Sequence, residues 1–173
     1  PLPAHSPTHP LPLLTLAFPY NEAYKVDTGM SRIGIWPKEE GIRFVKEVMA
    51  LPGIRIEGIF THFAKADMTK KESALNQYEV FKIFTDRIEK ELGLHIPFKH
   101  CSNSAGIIRF PEADMDMVRA GITLYGLWPS DEVEQDIISI RPALSWKSHI
   151  VYTKEMEAGM EISYGGTFTA NKG

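Results

Sequence analysis

Ile54-Arg55-Ile56-Glu57-Gly58-Ile59-Phe60-Thr61-His62 is a run of mostly β-branched and apolar residues that breaks off into a polar pair, and the text after it is helical. Thr69 and Glu72 stand three apart in the manner of a capping box. Leu75, Tyr78, Phe81, Phe84, Ile88 and Leu92 then recur at helical spacing until Gly93 ends the pattern. A strand, a polar turn and a long helix make the repeating unit of a parallel sheet, and the unit recurs on both sides. Residues 23–26 form a short strand candidate ending in Asp27-Thr28-Gly29; Pro37 opens a helix over residues 38–49, and Pro52-Gly53 closes it. Residues 96–101 are a third strand candidate, residues 105–110 a short helix and residues 115–118 a fourth strand. This order predicts an α/β fold with right-handed crossovers over residues 23–140.

The text differs at both ends. Residues 1–22 are proline-dense, and each proline fixes φ and removes a donor, so an irregular lead-in is expected there. His5 and His9 have i,i+4 spacing, but the surrounding prolines deny the helix and no ligand cluster follows, so no metal is expected. After Gly126 the chain turns acidic and irregular; beyond it, residues 143–153 and 160–170 read as strands joined by a turn at Ala158-Gly159. A second, β domain is expected to start at about residue 141 and to be cut short by residue 173.

Composition narrows the function classes. The 173 residues carry 19 Lys and Arg against 22 Asp and Glu, with no basic stripe, so nucleic acid is not the expected partner. The single Cys101 excludes an internal disulfide framework, and no apolar run approaches the ~20 residues that span a bilayer. The first residues lack the basic start of a signal peptide, and a soluble cytoplasmic setting is expected.

The polar residues of interest all follow predicted strands: Asp27 to Arg32, His62, Asn103-Ser104, and Arg119 to Ile122. In a parallel α/β barrel the strand C-termini share the face that holds the active site. Each group also has an ordinary use: His62 as a satisfied strand-end histidine, Asn103-Ser104 as a helix N-cap, Arg32 and Arg119 as surface ion-pair partners. Four such strand ends on one face favour a site. Ser104 at a helix start, with backbone N–H groups at Gly121 and Ile122, suits a phosphate. The Rossmann and Walker glycine patterns are both missing, which disfavours nucleotides.

At these residues the chain resembles the alanine racemases, pyridoxal-phosphate enzymes that interconvert L- and D-alanine. The matching segments are Lys25-Val26-Asp27-Thr28-Gly29-Met30-Ser31-Arg32-Ile33-Gly34, Thr61-His62-Phe63-Ala64-Lys65-Ala66-Asp67, Ser102-Asn103-Ser104-Ala105-Gly106, Val118-Arg119-Ala120-Gly121-Ile122-Thr123-Leu124-Tyr125-Gly126 and Ser163-Tyr164-Gly165. The resemblance implies the second half of a (β/α)8 TIM-type barrel, followed by the start of a C-terminal β domain, in a homodimer that supplies D-alanine for the cell wall. It implies that Ser104, Gly121 and Ile122 hold the phosphate of pyridoxal 5′-phosphate, with Asn103 in the same loop. Arg119 would donate to the pyridine nitrogen, His62 would bond Arg119 and lie against the ring, and Arg32 would serve the ring hydroxyl and the substrate carboxylate. Lys25 matches a lysine carbamylated in many members, which orients the arginine matching Arg32. Tyr164 matches the catalytic tyrosine that serves the partner's site. Ser31 stands where Gly or Asn is usual.

No segment resembles the family's Schiff-base lysine, which is the second proton-transfer base, so the chain is expected to be part of a longer enzyme. A racemase of this fold acting on serine or another amino acid, a non-catalytic pyridoxal-phosphate carrier and a fold-only relative remain the alternatives. The 173-residue chain by itself is expected to have no racemase activity; D-alanine formation by the purified chain would overturn this.

Overall fold

The computed structural model describes residues 20–171. The lead-in up to residue 19, with His5 and His9, lies outside the described residues. Strands β1 (Tyr20–Lys25), β2 (Ile54–Phe60) and β3 (Phe98–His100) form one parallel sheet in the order β1-β2-β3. Helix α1 (Glu39–Met49) connects the first pair and α2 (Glu72–Leu92) the second, so the chain is α/β with a parallel sheet. β1 starts at Tyr20, three residues before the apolar pattern. Its polar Asn21 and Glu22 pair with Arg55 and Ile56 of β2, which alternation within β1 could not reveal.

α1 begins with Glu39 and Glu40 and carries Lys46 in its last turn, charges that suit the helix dipole. It buries Ile42, Val45 and Val48 at helical spacing against the core that contains Ile59, Phe81, Phe84 and Ile88. Burying each such side chain contributes roughly 1.5–3 kcal/mol.

Two expectations about α2 change. The capping box does not form, and the helix starts at Glu72 with Lys71 at the cap. Both donors of Thr69 are taken by a carboxylate 63 residues further on: its N–H reaches Glu132 Oε2 at 2.5 Å and its hydroxyl reaches the same atom at 2.6 Å. The buried face is also turned from the apolar stripe. Leu75 is exposed, whereas Ala74, Gln77 and Thr85 are buried with Phe81, Phe84 and Ile88.

Residues 115–118 do not form the expected fourth strand. The Asp116 N–H reaches Lys99 O at 3.1 Å and the Arg119 N–H reaches Ser102 O at 3.0 Å, so the segment runs beside β3. The Lys99 N–H, however, is held by the Asp116 carboxylate at 2.8 Å and not by a main-chain carbonyl, and Met115 has φ 51°. A side chain that takes the donor interrupts the ladder.

Buried Arg109 joins α3 (Ser104–Arg109) to two loops. It donates to Ala66 O at 3.1 Å, to Met68 O, and to Thr69 O at 3.4 Å. Its Nε lies 2.8 Å from Glu134 Oε2, a charge contact not aligned as a hydrogen bond.

A second compact unit begins at Leu144. The expected strand over residues 143–153 is absent, and no strand among the described residues takes up its backbone groups. Residues 160–170 do not form one strand either. They fold back as an antiparallel hairpin of β4 (Glu161–Ile162) and β5 (Phe168–Thr169) around Tyr164–Gly166. The turn at Ala158-Gly159 feeds this hairpin, with the Gly159 N–H bonding Ala170 O at 2.8 Å.

Gly41 measures how closely α1 and α2 approach. A Cβ there would lie 2.2 Å from Trp36 O and 2.9 Å from the Phe84 ring. Helix propensity favours Ala over Gly by about 1 kcal/mol, but overpacking costs about 1–3 kcal/mol, and a backbone oxygen cannot swing aside. Gly41→Ala is therefore expected to lower the urea midpoint of the full-length protein; a raised midpoint would contradict this packing.

Candidate functional site

The register pairs Lys25 with Phe60 and Phe60 with His100, so these three side chains share one face of the sheet. Ile59, the next residue along, is buried in the core with residues of α1 and α2, which places the shared face away from the helices. Phe60 and His100 stack with centroids 5.0 Å apart at 4°, and the Arg119 guanidinium lies 5.2 Å from the Phe60 ring.

Arg119 is not a surface ion-pair residue. Its Nη2 donates to Thr61 O at 2.6 Å and to Cys101 O at 3.1 Å, with His62 Nδ1 at 3.5 Å. Its Nη1 bonds His100 Nδ1 and reaches His100 O at 3.5 Å. Among the described residues its Nε has no hydrogen-bond partner, and Arg119 lines a cleft of about 350 Å³. A guanidinium has no acceptor, so His100 Nδ1 must accept and the imidazole is neutral. In keeping with this, burial and then the charge of Arg119 push His100 down to about 4, with Asp116 opposing. His100 was not among the residues the sequence singled out. Its place one strand away from Phe60 depends on a pairing that local spacing does not reveal.

The cleft also brings His62, Asn103, Ser104, Gly121 and Ile122 together. Asn103 is the N-cap of α3, its Oδ1 accepting from the Gly106 N–H at 3.0 Å, so its ordinary use holds. Its amide also faces His62 Nε2 at 3.5 Å. Ser104 Oγ accepts from the Gly121 N–H at 2.9 Å and from the Thr123 hydroxyl at 3.2 Å, which leaves its own proton to donate. The Gly121 N–H is thus engaged within the chain, while the Ile122 N–H has no partner among the described residues. Burial, then the charges of Arg119, Arg32 and Lys25, hold the His62 imidazole below its usual pKa.

The loop after β1 is shaped by Asp27, whose Oδ1 accepts from Gly29 N at 3.0 Å and Ser31 N at 2.9 Å. Burial acts to raise the Asp27 carboxyl, but these N–H groups and the Lys25 ammonium outweigh it and keep it low. Ser31 takes φ 55°, the left-handed region where Gly and Asn are favoured. Lys25 Nζ donates to Ile33 O at 2.5 Å. Burial, aided by Arg32 and Arg119 and opposed by Asp27, lowers its pKa. Arg32 is exposed. Tyr164, in the second unit, is almost wholly exposed at the start of the Tyr164–Gly166 turn.

Uncommitted donors at Arg119 Nε, Ser104 Oγ and Ile122 N at one cleft suit an anionic ligand with a ring acceptor. A pyridoxal phosphate meets that description, and the cleft lies in the ordinary size range for such ligands.

The chain is similar to known proteins. A family model described as "Alanine racemase, N-terminal domain" matches residues 18–129. The alanine racemase of Halothermothrix orenii is 48% identical over 166 residues, which cover 94% of this chain and 43% of that protein. That of Desulforamulus reducens is 46% identical over 145 residues, covering 84% and 39%. The solved alanine racemase of Clostridium difficile 630 is similar at a TM-score of 0.77 and 43% identity, over 91% of this chain and 41% of that one. The chain spans about two fifths of the length of these relatives.

The neutral state of His100 can be read in stability. Between about pH 6.5 and about pH 4 the unfolded chain binds a proton at His100 that the folded chain refuses. Stability present above that window is therefore lost as pH falls through it. His100→Gln is expected to shrink the drop in urea midpoint between about pH 7 and about pH 5. A drop as large as the parent's would contradict a buried neutral His100.

Proposed function

The chain belongs to the alanine racemase family, and from that we propose that the protein containing it interconverts L- and D-alanine, with pyridoxal 5′-phosphate in the cleft beside Arg119. One observation carries the reading: the Arg119 guanidinium is fixed by carbonyls and His100, and its Nε–H remains for a ring acceptor. In this reading the chain from β1 at Tyr20 to about residue 140 is the later half of a (β/α)8 barrel, and residues 141–173 begin a β domain. The enzyme is a cytoplasmic homodimer whose D-alanine serves peptidoglycan. Among the described residues no helix is long and apolar enough to cross a membrane.

Pyridoxal phosphate supplies, when bound, the electron sink that makes the α-proton of an amino acid removable. Ser104, Gly121 and Ile122 would hold its phosphate. Arg119 would donate from Nε to the ring nitrogen and, having no acceptor, would leave that nitrogen unprotonated. That would weaken the sink and favour return of the proton to the α-carbon over transamination. His62, whose pKa is lowered by burial and then by neighbouring charge, stands beside Arg119 and would lie against the ring. Arg32 receives the substrate carboxylate. Lys25, whose pKa is lowered first by burial, presents more neutral amine for carbamylation and orients Arg32. Tyr164 moves the α-proton of L-alanine at its phenolic oxygen, serving the partner's site.

The full-length protein with pyridoxal phosphate is expected to form D-alanine from L-alanine. Tyr164→Phe is expected to lower kcat for that direction on the order of 10²–10⁴-fold. Absence of D-alanine from the full-length protein, or a parental rate in Y164F, would contradict the proposal.

A further inference from the structure

We propose that Gln77 is a positioning residue of the cleft, its side-chain amide locking the turn that carries His62 to the loop that leads to Arg32. The inference rests on the reading of the cleft as a racemase site.

Gln77 lies on the inner face of α2 among Ala74, Phe81, Phe84 and Ile88, and only 3% of it is exposed. A primary amide at such a place is costly unless its hydrogen-bonding groups are met. Here they are. Oε1 accepts from the Ala64 N–H at 2.8 Å, and Nε2 donates to His62 O at 3.2 Å and to Thr28 Oγ1 at 3.1 Å. The first two bonds grip both ends of the His62-Phe63-Ala64 turn.

The third bond passes the constraint to the loop after β1. Thr61 Oγ1 donates to Val26 O at 2.9 Å, so its proton is committed. In the 2.7 Å contact between the two threonine hydroxyls, Thr28 must therefore be the donor. Thr28 Oγ1 then accepts from Gln77, and every proton from the amide to the Val26 carbonyl has a direction. That fixes the amide orientation as well. A Cβ on Gly29 would lie 3.5 Å from Gln77 Cγ and 3.6 Å from its amide, so the side chain sits directly against the loop. Asp27 anchors the next stretch through the Gly29 and Ser31 N–H groups. From one helix position, Gln77 thus holds two of the strand ends that form the site.

A merely space-filling side chain would have a different signature. Gln77→Met keeps the length and loses all three bonds, leaving Ala64 N and His62 O unmet and Thr28 Oγ1 with only its bond to Thr61. Gln77→Glu keeps the acceptor and, when ionised, loses both donated bonds. Hydrogen exchange of the full-length protein, measured without cofactor, separates the cases. In Q77M, protection over residues 62–66 and 27–31 is expected to fall about tenfold, while residues 78–92 keep the parental rate. Q77E is expected to fall in between, and kcat for alanine racemisation to fall with protection in both variants. Parental protection in Q77M, or lost protection with unchanged kcat, would overturn the proposal. If Q77M loosens α1 and α2 as a whole, Q77E decides: a local loss at residues 62–66 supports the role, and parental protection there overturns it. If the parent protein forms no D-alanine, the racemase reading fails on that result alone, since the exchange measurement needs neither cofactor nor turnover.

Discussion

The guanidinium of Arg119 rests on the carbonyls of Thr61 and Cys101 and on the ring of His100, and its burial dictates much of what surrounds it. A cation taken out of water is tolerated only where acceptors replace the lost hydration. Those acceptors lie just past β2 and at and just past the end of β3, which are adjacent only because the strands run parallel with Phe60 beside His100. The same cation requires His100 to be neutral, since its Nδ1 has to accept, and after burial it is the next cause that keeps His62 from charging readily. Phe60 closes the arrangement by stacking on His100 beneath the guanidinium.

A fixed arginine is useful only if the groups around it are equally fixed, and side chains reaching back to main chain hold them. Arg109 ties the loop over residues 66–69 to α3, and Ser130 Oγ bonds Asp67 O at 2.9 Å from the other side. Asp27 folds the loop after β1 onto itself, and Gln77 connects it with the His62 turn. The irregular segments that form the cleft are thereby held by hydrogen bonds where no sheet or helix ladder reaches them.

Local pattern was sufficient wherever the interactions were local. β2 has the bounds that its β-branched run implies, α1 lies within a residue of its expected start, and the αL Gly93 ends α2. The pattern failed where a distant partner decided the outcome. Glu132 claims the donors of Thr69 and removes the capping box; Asp116 claims the Lys99 N–H and interrupts the fourth strand. The strand candidate over residues 143–153 has no partner to pair with among the described residues. In the site, the polar residues just past β1, β2 and β3 were legible, because strand C-termini converge in any parallel sheet; Arg119 was singled out too, although the strand expected before it does not form. His100 and Gln77 were not, since each sits inside a regular element where a polar residue reads as ordinary alternation. Gln77, three residues after Ala74 and four before Phe81, is on the buried face by spacing alone, and that is the one signal that could have marked it.

The claim on which the functional reading turns is that Arg119 presents a donor to the ring nitrogen of the bound cofactor. Nitrogen-15 NMR of the full-length protein loaded with ring-labelled pyridoxal phosphate reads this directly. The ring nitrogen is expected to resonate as an unprotonated, hydrogen-bonded pyridine near neutral pH. A pyridinium resonance under the same conditions would contradict the role of Arg119 and remove the physical basis for racemisation over transamination.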